Sequence, residues 1–81
     1  MRLERIQQYM TAHGYPFRDR EEDDCGTIEF EHRGLHYHIW EYPAPEWGCE
    51  SNVVSAGRSV EYDGDYEQTI LDILKSWEGT W

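Results

Sequence analysis

Positive charge is scarce in this chain of 81 residues: seven Lys and Arg stand against seventeen Asp and Glu, a formal charge of −10. That scarcity argues against direct contact with nucleic acid or with an anionic membrane, because both rest on basic side chains meeting phosphate. Cysteine is scarce too. Cys25 and Cys49 are the only two, too few and too far apart in sequence for a disulfide scaffold or a four-thiolate zinc site, and they are read as reduced thiols. No run approaches the roughly 20 apolar residues of a membrane-spanning helix. The start, Met1-Arg2-Leu3-Glu4-Arg5, lacks the apolar core and cleavage site of a secretory leader, so a cytoplasmic protein is expected. No catalytic motif stands out and the chain leaves no room for a cofactor domain, so neither an enzyme nor a cofactor is expected.

Aromatic residues make up 15% of the chain and hydrophobic residues 38%. An acidic, disordered tail would hold fewer of both, so the composition describes a folded domain with an acidic surface. A single domain over residues 1–81 buries only about 60–65% of its unfolded surface, which makes the core thin.

The spacing of Leu3, Ile6, Tyr9 and Met10 lays one apolar stripe on a helix over residues 2–13, closed by Gly14. Pro16 forbids its continuation. A short edge strand at residues 15–18 and an acidic loop at Glu21, Glu22, Asp23 and Asp24 are expected next. Residues 27–42 carry the clearest signal. Ile28 and Phe30 alternate with Glu29 and Glu31, Arg33-Gly34 offers a tight turn, and Leu35, Tyr37 and Ile39 alternate with His36, His38 and Trp40. A two-residue turn there sets Phe30 opposite Tyr37, Ile28 opposite Ile39, Glu31 opposite His36 and Glu29 opposite His38.

Beyond the break at Pro43 and Pro45, a third strand over 47–55 is expected to turn Trp47, Cys49 and Val53 inward and Glu50 and Asn52 outward. Gly57 then opens a connection holding Val60 and Tyr62. Asp65-Tyr66-Glu67-Gln68 matches a capping box, and Tyr66, Ile70, Ile73, Leu74 and Trp77 form the strongest helical stripe in the chain. The fold class is therefore α+β, an α-β-β-β-α order with an antiparallel sheet of three or four strands and both helices on its apolar face.

The polar face gathers the candidate chemistry. His36 and His38 with Glu29 and Glu31 suit Zn²⁺ by donor type, yet an open strand surface makes no closed tetrahedral cage, and opposed Glu and His are also ordinary cross-strand partners. A small metal-binding protein is the third reading for that reason. Thiol catalysis at Cys25 or Cys49 would need a positive field, and the field here has the opposite sign. Trp40 and Tyr42 fall on this face beside His36 and His38, where an exposed aromatic can anchor a basic partner through cation–π contact, unless Pro43, Pro45 or Trp81 folds over Trp40.

Glu29 and Glu31 stand about 6.8 Å apart along one strand. With Glu21, Glu22, Asp23 and Asp24, and with Glu41, Glu46, Glu50, Glu61 and Asp63, they would spread negative charge along the sheet in imitation of a phosphate backbone. In size, acidity and element order the chain resembles the small acidic proteins that phages and mobile elements use against bacterial defence enzymes, including anti-CRISPR proteins that mimic DNA. The resemblance implies a non-enzymatic inhibitor that occupies a basic, nucleic-acid-binding surface, for instance of a nuclease. The partner-binding residues expected here are Glu29, Glu31, His36, His38, Trp40, Glu21, Glu22, Asp23 and Asp24. The alternative is a structural or regulatory domain that docks or dimerises through an apolar edge, so both monomer and homodimer stay open.

Overall fold

A computed structural model describes residues 3–22, 25–43 and 45–80. The elements run α1 (Glu4–Ala12), β1 (Arg18–Glu22), β2 (Cys25–His32), β3 (Leu35–Glu41), β4 (Cys49–Ser55), β5 (Arg58–Tyr62) and α2 (Tyr66–Lys75). The five strands form one sheet in the order β1-β2-β3-β4-β5, every neighbour antiparallel. The class is α+β, but the sheet has five strands where the sequence pattern predicts three or four. The two strands beyond the three that alternate plainly are edge strands with little alternation to read: the one expected at residues 15–18 lies instead at Arg18–Glu22, and β5 is added. All five residues of β1 are charged, so Glu21 and Glu22 pair with Gly26 and Cys25 instead of forming a loop. Charged edges of this kind discourage pairing with a further chain. The predicted connection after Gly57 is β5, whose Val60 and Tyr62 pair with Ser51 and Cys49.

The β2–β3 hairpin has the predicted register: Ile28 faces Ile39, Phe30 faces Tyr37, Glu29 faces His38 and Glu31 faces His36. Arg33 and Gly34 both take positive φ, 53° and 82°, as a two-residue type I′ turn requires. The pleat then sends Ile28, Phe30, Tyr37 and Ile39 into the core. Burying each of these side chains contributes about 1.5–3 kcal/mol. Leu3, Ile6 and Met10 from the first helical segment and Tyr66, Ile70, Leu71 and Leu74 from the second join the same cluster, with Cys49 and Val53 of β4.

β4 departs from its predicted alternation at two points. Trp47 precedes the strand and is 56% exposed, so it is not a core residue, and Asn52, expected outside, is buried. The ladder is irregular between Ser51 and Ser55, and side chains replace it. Asn52 Oδ1 accepts from the His38 amide at 2.8 Å, its Nδ2 donates to the carbonyls of His36 and Ala56 at 3.0 Å each, and the Ser51 hydroxyl donates to the His38 carbonyl at 2.7 Å. The buried amide and the Ser51 hydroxyl thus satisfy the His36 carbonyl and both backbone groups of His38.

α1 closes in a Schellman motif, with Tyr15 N–H donating to Met10 at 2.9 Å and Gly14 N–H to Thr11 at 3.1 Å. Its opening is unusual. Leu3 takes φ 56° and supplies no side-chain cap. The acceptor comes instead from α2, because Glu67 Oε2 accepts from the amides of Arg5 at 2.9 Å and Ile6 at 3.3 Å. At α2 itself Asp65 accepts from the Gln68 amide at 3.4 Å, while the Gln68 side chain turns forward to Asp72 at 2.9 Å, so the predicted capping box is formed in one direction.

His32 ends β2 buried, its ring stacked on Trp77 with centroids 4.7 Å apart at 8°, and its Nε2 is 3.2 Å from the Thr80 hydroxyl. Burial, with Arg33 adding to it, holds its pKa below the ordinary 6.5. The unfolded chain therefore takes up this proton before the folded one does. The contribution of His32 to stability is full above about pH 6.5 and declines as pH falls toward the lowered folded value. Urea denaturation at pH 7 and pH 5 should show a loss on acidification, by at most about 1.4 kcal/mol per pH unit from this one site. His32→Phe, which keeps the stack, should remove that share of the slope. An unchanged slope in the variant would exclude His32 as the group responsible.

Candidate functional site

The alternation that sends Phe30 and Ile39 inward turns Glu29, Glu31, His36, His38 and Trp40 to the opposite face of the hairpin. Glu29 stands at its centre. Its Oε1 lies 3.7 Å from the Arg18 guanidinium across β1 and 3.4 Å from His36 Nε2 on the diagonal across β3. The backbone opposes Glu29 to His38, but its side-chain contact is with His36. Glu31, opposite His36, is exposed.

His38 and Trp40 stack along β3, with centroids 4.0 Å apart at 23°, and Trp40 is 42% exposed. The His38 Nε2 is 3.0 Å from the Ser59 hydroxyl of β5. This places the ring over β4, where the buried Asn52 holds the His38 backbone. Burial lowers the His38 pKa, against the opposing pull of Glu50, with His36 lowering and Glu29 raising it further down the order. A largely neutral imidazole lying flat against an indole extends the aromatic surface that Trp40 offers to solvent.

The acidic part of the surface differs from the predicted one in three ways. Glu21 is exposed but pairs with Gly26, on the parity of Ile28 and Phe30, so it does not share the face of Glu29. The backbone of Glu22 ends β1 opposite Cys25, and Asp23 and Asp24 lie outside the described residues. Glu41 belongs to the core. It is buried, accepting from the Gly26 amide at 2.7 Å and the Tyr66 hydroxyl at 2.6 Å, because its place on β3 has the parity of Ile39. Glu50 and Glu61 do extend the acidic face, directly opposite each other and next to Trp40 in register. Arg18 and Arg20 share the face at its β1 edge, opposite Glu29 and Thr27. The surface thus grades from mixed charge at β1 to unmixed carboxylate at β4 and β5.

Trp47, expected inward, and Tyr42, expected on the polar face beside Trp40, come together at the end of that face, because the Pro-containing stretch between β3 and β4 carries Trp47 out of the strand period. They line a shallow depression of about 530 Å³ with Glu46, Glu50 and Glu61. The indole N–H of Trp47 donates to the Gly64 carbonyl at 2.8 Å. The Tyr42 hydroxyl bonds Glu61, and burial first, then that bond and the nearby carboxylates, push its pKa up to about 12. Gly48 makes this loop possible, with φ 130° and space for an added Cβ only 2.5 Å from the Tyr62 carbonyl oxygen. Gly48→Ala should therefore lose about 2 kcal/mol through strain and displacement of backbone. A thermal melt within 2–3 °C of the parent would contradict that.

Cys25 and Cys49 are not bridged by a disulfide. Burial, then Glu41 and Glu67, push the Cys49 pKa up to about 12, which disfavours its thiolate. Among the described residues no three His, Cys, Asp or Glu side chains converge as a metal cage. No helix among them is long and apolar enough to cross a membrane. No protein-family model, curated protein or solved structure matches the chain.

Proposed function

We propose that this protein is a non-enzymatic acidic inhibitor that occupies a basic, nucleic-acid-binding surface of a partner enzyme, with both helices covering one face of the sheet and the other face presented to the partner. The observation that carries the reading is the gradient of the outer face. Glu29, Glu31, Glu50 and Glu61 surround a stacked His38–Trp40 pair whose indole is exposed and whose imidazole is half-buried. Carboxylates steer a basic partner over a Debye length of about 10 Å at 0.1 M salt, and the aromatic pair supplies apolar contact once it arrives. A surface of this sign repels nucleic acid and anionic lipid, leaving a basic protein groove as its complement.

The test is capture of partners from a bacterial lysate with the tagged protein, washed at low and at high salt and read by mass spectrometry. A nucleic-acid enzyme retained at low salt and released at high salt is the expected result. A salt-resistant partner, or self-association alone, would favour the second reading, an interaction domain that docks or dimerises through an edge. One observation speaks for that reading: β5 is an open edge, with Val60 at 40% exposure and Val54 of β4 at 65%.

A further inference from the structure

We propose that the depression between Trp47 and Tyr42 is a receptor for an arginine side chain of the partner, an inference that rests on the reading of this protein as a binder of basic surfaces. Two independent features point to a cationic occupant. Glu50 and Glu61 are directly opposed in the β4–β5 ladder, where like charges repel, and among the described residues no Lys, Arg or His forms a salt bridge with either. Beside them Trp47 keeps more than half its surface in solvent although its ring is fixed, by the 2.8 Å bond to the Gly64 carbonyl and by contact with Tyr66 at 5.3 Å between centroids.

An anchored indole face next to two unneutralised carboxylates has the complement of a guanidinium. The planar cation stacks on the ring while its N–H fork donates to carboxylate oxygens. The ammonium of lysine gains the charge interaction but not the stacked, forked geometry, and a divalent ion gains nothing from the aromatic wall. Tyr42 orients Glu61 through its hydroxyl, and Gly48 holds the loop that carries Trp47, so the receptor is organised before the ligand arrives.

The probe is a capped Gly-Arg-Gly peptide, titrated to millimolar concentration and followed by the indole N–H signal of Trp47, with the citrulline peptide as a neutral control of the same shape. A saturable shift of the Trp47 signal with arginine, absent with citrulline and about tenfold weaker in the Glu50→Gln, Glu61→Gln double variant, is expected. No saturable shift, an equal response to citrulline, or a response confined to Trp40 would overturn the proposal. The carboxamide variant keeps the side-chain shape, so it should fold, which its CD spectrum checks. Arginine binding at Trp47 without any salt-sensitive partner in the lysate would leave this receptor standing and overturn the proposed function. Salt-sensitive capture that the double variant does not weaken would do the reverse.

Discussion

Glu67→Ala is expected to lower the unfolding free energy by about 3 kcal/mol and the melting temperature by about 10–20 °C. The carboxylate is buried and its Oε2 is the acceptor for the amides of Arg5 and Ile6. Those two N–H groups open α1, and Leu3 offers no side chain to receive them. Truncation leaves both donors short of a partner at a buried helix end, a cost of about 1–3 kcal/mol for each group fully deprived. A negative charge is also lost from the positive end of the α1 dipole.

The competing explanation is the ion pairing of Arg5, which contacts Asp65 and lies 3.7 Å from Glu67 Oε1. That guanidinium is largely exposed, so its pairs are worth about 0–1 kcal/mol. Arg5→Ala should therefore cost far less than Glu67→Ala, and Glu67→Gln, which keeps an acceptor oxygen, should fall between them. Urea denaturation of the three variants decides the order. Equal losses in Arg5→Ala and Glu67→Ala would mean that the ion pair, rather than the trans cap, joins the two helices.

Glu67 also shows where the sequence is readable and where it is not. A carboxylate at position 67 suits the first turn of α2 on local grounds, but a cap supplied across 62 residues of sequence has no local signature. The hairpin is the opposite case. Period-two alternation and the Arg33-Gly34 turn set its register, and with it the common face of Glu29, Glu31, His36, His38 and Trp40. β5 escaped, and the edge strand expected at residues 15–18 lies at Arg18–Glu22, because edge strands bury little, so nothing selects apolar residues at alternate positions. Asn52 was misread since a bulge breaks the parity on which the inward and outward assignment depends. Trp47 was misread for a related cause: Gly48, at φ 130°, turns the chain just before β4, and the period of the strand does not extend back to it. The core of the candidate face was thus legible, as was the outward turn of Glu50, whereas the direct opposition of Glu50 and Glu61 depended on recognising β5.

Reversing Glu29 and Glu31 together to Lys is expected to weaken partner binding at low salt about a hundredfold while leaving the far-UV CD spectrum intact. Each reversal adds two charges, so the formal charge moves from −10 to −6. The fold should tolerate the change, because Glu29 meets Arg18 and His36 only in exposed pairs at 3.7 and 3.4 Å, worth a few tenths of a kcal/mol. A Lys at position 29 beside Arg18 converts the mixed β1 edge into a basic one, and a Lys at position 31 carries that sign next to His36. A basic groove that met attraction at two points then meets repulsion at both, and close charge pairs across an interface are worth enough for the stated loss. The deficit should shrink at high salt, where screening removes the attraction from the parent and the repulsion from the variant alike. Reversing Glu4 and Asp72, exposed on α1 and α2, changes the net charge equally and serves as the control. If that pair weakens binding as much, only total charge matters and the hairpin face has no special part. If neither pair does, the partner docks elsewhere, and the open β5 edge with Val54 and Val60 becomes the surface to mutate next.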